Sequence, residues 1–183
     1  GITTVLTLLV DPPESPLPIT CATATGFDPV GVLAKTFDEA VQTRAFAMKT
    51  LIEGGNARKL EHPGEVTTLD DHVSFYLDRE RLVAFDFLLK QPETVDIESV
   101  VAPQPGNAEA MLEALLKVLS GLGLELIVAD ITTRDIREAG LWVVRAIIPG
   151  LLPLTQDHNV RFLGGNRLKR FPGPLNRWPH PFA

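Results

Sequence analysis

The sequence predicts an α+β fold, a mixed, largely antiparallel sheet packed against helices. Two observations carry this. Two β-rich runs at the start are separated by only a short turn, and a long amphipathic helix follows them. Further on, a second helix leads into two more apolar, strand-like runs.

Ile2–Val10 is the first strand, and Asp11–Pro18 is a proline-rich turn. Ile19–Thr25 is the second strand, entered from Pro18 and left at Gly26. A short connection of this kind favours an antiparallel neighbour. Asp28-Pro29 then opens the longest helix, Pro29–Glu53, with an N-capping carboxylate and proline in the first helical position. Gly54-Gly55 is placed to stop it. Leu33, Phe37, Ala40, Val41, Ala47, Met48 and Leu51 fall on one stripe, from which Arg44 also projects. Val32, Thr36, Glu39, Thr43, Phe46 and Thr50 form a second face, so the helix is expected to be covered on two sides.

Residues 56–66 read as a polar loop. Thr68 or Asp70 can cap a short helix through Leu77, and Phe85–Leu89 is a brief apolar segment. Residues 91–106 are irregular, with room for one short strand. A helix over Asn107–Ser120 follows, then Leu124–Ala129 as a buried strand, a helical turn after Asp130, and Leu141–Ile148 as another buried strand.

The chain has 183 residues, with 17 Lys and Arg against 23 Asp and Glu, for a net charge of −6. This balance argues against a nucleic-acid backbone or an anionic membrane as the main partner. Hydrophobic residues make up 45%, enough for a substantial core in one domain or a large part of one. No apolar run reaches the roughly twenty residues that span a bilayer. The single cysteine, Cys21, has no internal partner, so a reducing cytoplasm is expected, and it reads as a small core residue. A chain that starts at Gly1, directly before a core strand, looks truncated.

Glu39 and Gln42 lie one helical turn apart and can share a ligand. Arg44 lies nearly opposite Gln42, among apolar residues, and needs an acceptor there. Either an acid within the fold pairs with it, or it serves phosphate oxygens while Glu39 serves a divalent cation. Asp130, Thr132 and Thr133, at a strand end, are a second candidate, although the same residues commonly cap helices. Gly164-Gly165-Asn166-Arg167 is either an anion cradle or a turn. His62, His72, His158 and His180 show no zinc spacing.

The tail, Gly173–Ala183, carries Pro174, Pro179 and Pro181 among Trp178, His180 and Phe182. It should be stiff and extended, losing little entropy on docking. It either staples the domain or places the chain terminus in a site, running back towards the helix that carries Glu39 and Arg44.

Several segments in order resemble the YcaO superfamily: Asp38–Ala45, Asp70–Asp78, Phe85–Leu89, Ala129–Thr133, Trp142–Gly150 and Leu163–Arg167, with the proline-alternating end Pro179–Ala183. The resemblance covers essentially the whole chain and the carboxyl-terminal half of a full YcaO domain. It implies residues 1–172 as part of a larger YcaO-like domain and 173–183 as its tail. It further implies ATP and Mg2+ as cofactors and a precursor peptide as substrate, with Cys, Ser or Thr converted to an azoline or the amide to a thioamide. Part of the family's nucleotide site matches Glu39, Gln42 and Arg44, with Glu39 also on the metal. Pro179, Pro181 and the Ala183 carboxylate are carried over as catalytic. A leader-binding or TfuA-like partner and a homodimer are expected. Related tails end in proline, and the family's amino-terminal Ser-, Glu- and Arg-rich segment does not occur in this chain, so alone it should be catalytically incomplete. The opposing reading is a binding module of the same fold that holds a peptide or partner without turnover.

Overall fold

The computed structural model describes residues 2–53, 59–90, 93–101 and 104–182; of Glu98 it describes the backbone alone. The expected helix stop at Gly54-Gly55 and the terminal residue Ala183 lie outside these residues. Strands β1 (Thr3–Val10) and β2 (Ile19–Gly26) pair antiparallel, with Thr7 opposite Ala22 and Val10 opposite Ile19. Helix α1 (Pro29–Glu53) follows, and the Asp28 carboxylate accepts from the Val30 amide as expected of a cap. Helix α2 (Leu69–Phe75) starts at a reciprocal cap between Thr68 and Asp71. A 3-10 segment over Arg79–Phe85 runs into the short α3 (Asp86–Leu89). Residues Ile97–Val100 form a 3-10 turn, and no strand occurs among the described residues of that stretch.

Helix α4 (Ala108–Gly121), capped by Asn107, precedes β3 (Ile127–Asp130), α5 (Arg134–Glu138) and β4 (Val144–Ile147). Strands β3 and β4 pair antiparallel, and α6 (Asn166–Lys169) follows. The fold class is α+β, with two separate two-stranded antiparallel ribbons. No helix among the described residues is long and apolar enough to cross a membrane.

The chain forms two compact units. The first holds residues 1–104, 154–161 and 173–183, and the second holds 105–153 and 162–172. In the first, α1 lies on the ribbon through small side chains. Ala40 and Ala47 are fully buried with Thr36, and the Thr36 and Thr7 hydroxyls are hydrogen-bonded at 2.8 Å. The approach is so close that a Cβ on Gly26 would sit 2.8 Å from the Val32 side chain. Ile19, Val66, Phe75, Tyr76 and Phe85 form the main apolar cluster, with Leu8 and Trp178 packed against it.

Two sequence expectations are corrected. The apolar stripe of α1 is covered only in part: Leu33, Phe37 and Val41 are 41%, 52% and 44% exposed, whereas Ala40 and Ala47 of the same stripe are buried and Met48 and Leu51 pack against Leu17 and Val73. The packed face combines Ala40 and Ala47 of that stripe with Val32 and Thr36 of the second face, because small residues let the helix backbone come close to the ribbon. The later strands are shorter than expected and exposed throughout, not buried. In the second unit, Leu119 alone is buried, so its apolar strands have no core of their own to enter.

Candidate functional site

Helix periodicity places Glu39 and Gln42 on one flank of α1 and Arg44 on the other, with the buried face between them. Glu39 is 41% exposed at its side chain and lies 3.6 Å from Lys35 Nζ, one turn earlier. Gln42 is exposed. Lys35 was not singled out by sequence; its spacing of four from Glu39 was the available signal.

Arg44 is brought to a different set of groups. Its Nη1 lies 2.6 Å from Asp11 Oδ2, an ion pair not aligned as a straight hydrogen bond. Asp11 also accepts from the Ser15 hydroxyl at 2.6 Å. Arg79 donates to the carbonyls of Pro12 and Ser15, so two arginines hold the ribbon turn. Desolvation pushes the Asp11 carboxyl up, but the Ser15 hydroxyl and the two guanidinium groups outweigh it and hold it below its ordinary 3.8. An open groove of about 830 Å3 borders this pair, lined also by Leu8, Val10 and Glu14. It is large enough for a small ligand. Its one arginine is already neutralised, and Glu14 adds negative charge, so the groove offers phosphate little.

The tail is ordered against the first unit. Pro179 is fully buried and accepts from the Tyr76 hydroxyl. His72, also fully buried, has Nδ1 2.7 Å from the His180 carbonyl and Nε2 3.0 Å from the Gln156 carbonyl. The rings of His72 and His180 stack at 3.6 Å. Cys21 donates its thiol to the Pro181 carbonyl at 3.6 Å, and burial pushes that thiol up to about 12, which makes it a poor nucleophile. Trp178 packs near Phe75. Pro181 shares a void of about 10 Å3 with Thr20, Cys21, Thr43, Val73 and Tyr76. Thr43 lies on α1 one turn beyond Glu39, which does not itself line this void. The void is no larger than one water.

The other candidates occupy the second unit. The Asp130 carboxylate accepts from the Thr132 amide and pairs with Arg137 at 2.8 Å. These partners, Thr132 first and then Arg137, hold it well below the usual carboxylate range. This is the turn-capping role. Gly165 precedes the four-residue α6, and Arg167 borders an apolar groove with Leu151, Leu152 and Phe171.

The family model for YcaO, described as an ATP- and Mg2+-binding YcaO cyclodehydratase, matches residues 1–152. The chain belongs to the YcaO family. No curated protein and no solved structure matches it. The matched span includes both ribbons and α1, and ends before Leu163–Arg167 and the proline-rich tail. ATP and Mg2+ are therefore general features of the family to which this YcaO chain belongs.

The residues present fit one edge of such a site. Among the described residues no three His, Cys, Asp or Glu side chains converge as a metal cage. Magnesium needs none, since it commonly takes one or two carboxylates together with nucleotide phosphates and water. Glu39, half-buried and at 3.6 Å from Lys35, is available as such a carboxylate, and Lys35 as a cation for phosphate.

Proposed function

We propose that this YcaO chain is the carboxyl-terminal part of an ATP-dependent enzyme that modifies a peptide backbone amide. Its substrate is a ribosomally made precursor peptide, and its product an azoline from Cys, Ser or Thr, or, with an external sulfide as the nucleophile, a thioamide. The observation that carries this reading is the match of residues 1–152 to the ATP- and Mg2+-binding YcaO cyclodehydratase family.

ATP supplies the phosphoryl group that converts the amide oxygen into a leaving group once a nucleophile has added to the carbonyl. Glu39 would hold the metal through its carboxylate, in place of its pair with Lys35. Gln42, exposed on the same flank, orients the phosphate chain or a second carboxylate. Arg44 acts from the opposite flank by fixing the Asp11 turn, not by direct contact with phosphate. Pro179 and Pro181 stiffen the tail, so that the Ala183 carboxylate can serve as acceptor or base at the reacting amide. A leader-binding or TfuA-like protein and a second copy of the chain complete the assembly, in the cytoplasm.

The test is incubation of the complete protein with precursor peptide, Mg2+ and ATP. Loss of one water per heterocycle or, when sulfide is also supplied, replacement of an amide oxygen by sulfur, coupled to release of ADP and phosphate, supports the reading. A second reading, a binding module without turnover, draws on the exposed apolar strands β3 and β4. It is favoured if peptide binds tightly and ATP is not consumed.

A further inference from the structure

Pro179 and Pro181 have no N–H, so whatever holds the tail must read its carbonyls. In an extended proline-rich segment successive carbonyls point in different directions, and one flat surface cannot engage them all. Here three consecutive carbonyls are each met by a different side chain. Tyr76, the C-cap of α2, donates its hydroxyl to Pro179. His72 on α2 meets His180 through Nδ1 at 2.7 Å. Cys21 on β2 donates to Pro181 at 3.6 Å.

We propose that Tyr76, His72 and Cys21 are positioning residues that set the register of the carboxyl-terminal tail and thereby hold Pro181 at the void it shares with Thr43 of α1. The consequence for catalysis rests on the function proposed above, whereas the clamp itself does not. Burial gives the contacts their weight. Pro179 and His72 are fully excluded from water, so a tail slipped by one residue leaves a buried carbonyl or a buried ring nitrogen without a partner. The slip would also move the terminus by about 3 Å.

His72 adds a second link. Its Nε2 faces the Gln156 carbonyl at 3.0 Å, and the His180 ring stacked on it has Nε2 2.5 Å from the Thr155 carbonyl. The same pair of rings thus lies between residues 155–156 and the tail. Apolar anchors at Trp178 and Phe182 tolerate sliding, whereas the three polar contacts match each carbonyl to its own side chain.

The test is amide hydrogen exchange at His180 and Phe182 in the whole protein, without nucleotide or peptide, referenced to Ala40 in the middle of α1. Tyr76→Phe and His72→Phe should each speed exchange in the tail by about tenfold while Ala40 stays as in the parent. His72→Asn, which keeps a donor near the Nδ1 position, should restore most of the protection that His72→Phe loses. Tyr76→Phe removes a single oxygen and keeps the ring, so it remains informative if the His72 variants fail to fold. Unchanged tail exchange in Tyr76→Phe, or a rise matched at Ala40, overturns the proposal. Because no nucleotide is present, failure of the ATP reading would leave this result unaltered.

Discussion

Arg44 and Asp11 meet at 2.6 Å, joining the middle of the long helix to the turn of the first ribbon. The contact spans two elements that are also held by the Thr7–Thr36 hydrogen bond further along the same ribbon. Arg44 is about one-third exposed and Asp11 mostly buried, which places the pair between a surface bridge and a buried one. Arg44→Met should therefore destabilise the protein by about 1–2 kcal/mol, measured by urea unfolding. A double-mutant cycle with Asp11→Asn should recover much of that loss as coupling. Arg44→Met with parent stability but lost nucleotide binding would show a phosphate ligand instead.

The same pair sets an acid limb. The folded-state carboxyl of Asp11 lies below its ordinary 3.8. Its contribution is complete above that value and is lost as pH falls through the depressed folded value. Asp11→Asn should flatten the decline in stability below pH ~4. An identical acid limb in variant and parent would remove Asp11 from the account.

His180 makes the docked tail sensitive to mild acid. Burial lowers its imidazole below the ordinary 6.5; the Thr155 carbonyl opposes this, and the neighbouring His72 adds to it. The unfolded tail then takes up a proton first. Docking strength is full above 6.5 and falls as pH drops through the folded value. Trp178 emission, read in a Trp142→Phe background, should shift towards that of an exposed indole between pH ~7 and ~5. His180→Gln should flatten the shift. A pH-independent signal in the parent contradicts the prediction.

The packing face of α1 can be checked by substitution. Ala40→Leu should cost about 1–3 kcal/mol, because no space remains against the ribbon. Phe37→Ser, on the exposed stripe, should change stability by no more than about 0.5 kcal/mol. The reverse order would show that the large apolar residues are the buried ones.

The first ribbon, α1 and α4 were legible in the sequence because local signals agreed: the proline turn before Ile19, Asp28-Pro29 at one helix start and Asn107 at the other. The buried face of α1 was legible in part: Ala40 and Ala47 lay on the first stripe and Val32 and Thr36 on the second, but hydrophobic patterning weighted Leu33 and Phe37 with them. Close backbone approach selects the small residues instead. The juxtaposition of Glu39 and Gln42 follows from helix spacing alone. The partner of Arg44 does not, since Asp11 lies across a turn and a strand. His72, Tyr76 and Cys21 were missed as tail contacts, because long-range pairing has no periodic signature. The available signal was chemical: a proline-rich tail presents carbonyls, and buried His, Tyr and Cys side chains carry donors.

The central claim is that Glu39 helps hold magnesium nucleotide. Calorimetric titration of MgATP into the complete protein, parent against Glu39→Gln, tests it most directly. The account predicts magnesium-dependent binding by the parent and an affinity weaker by at least about tenfold in Glu39→Gln, with Tm unchanged. Equal MgATP affinity in the two proteins would contradict it.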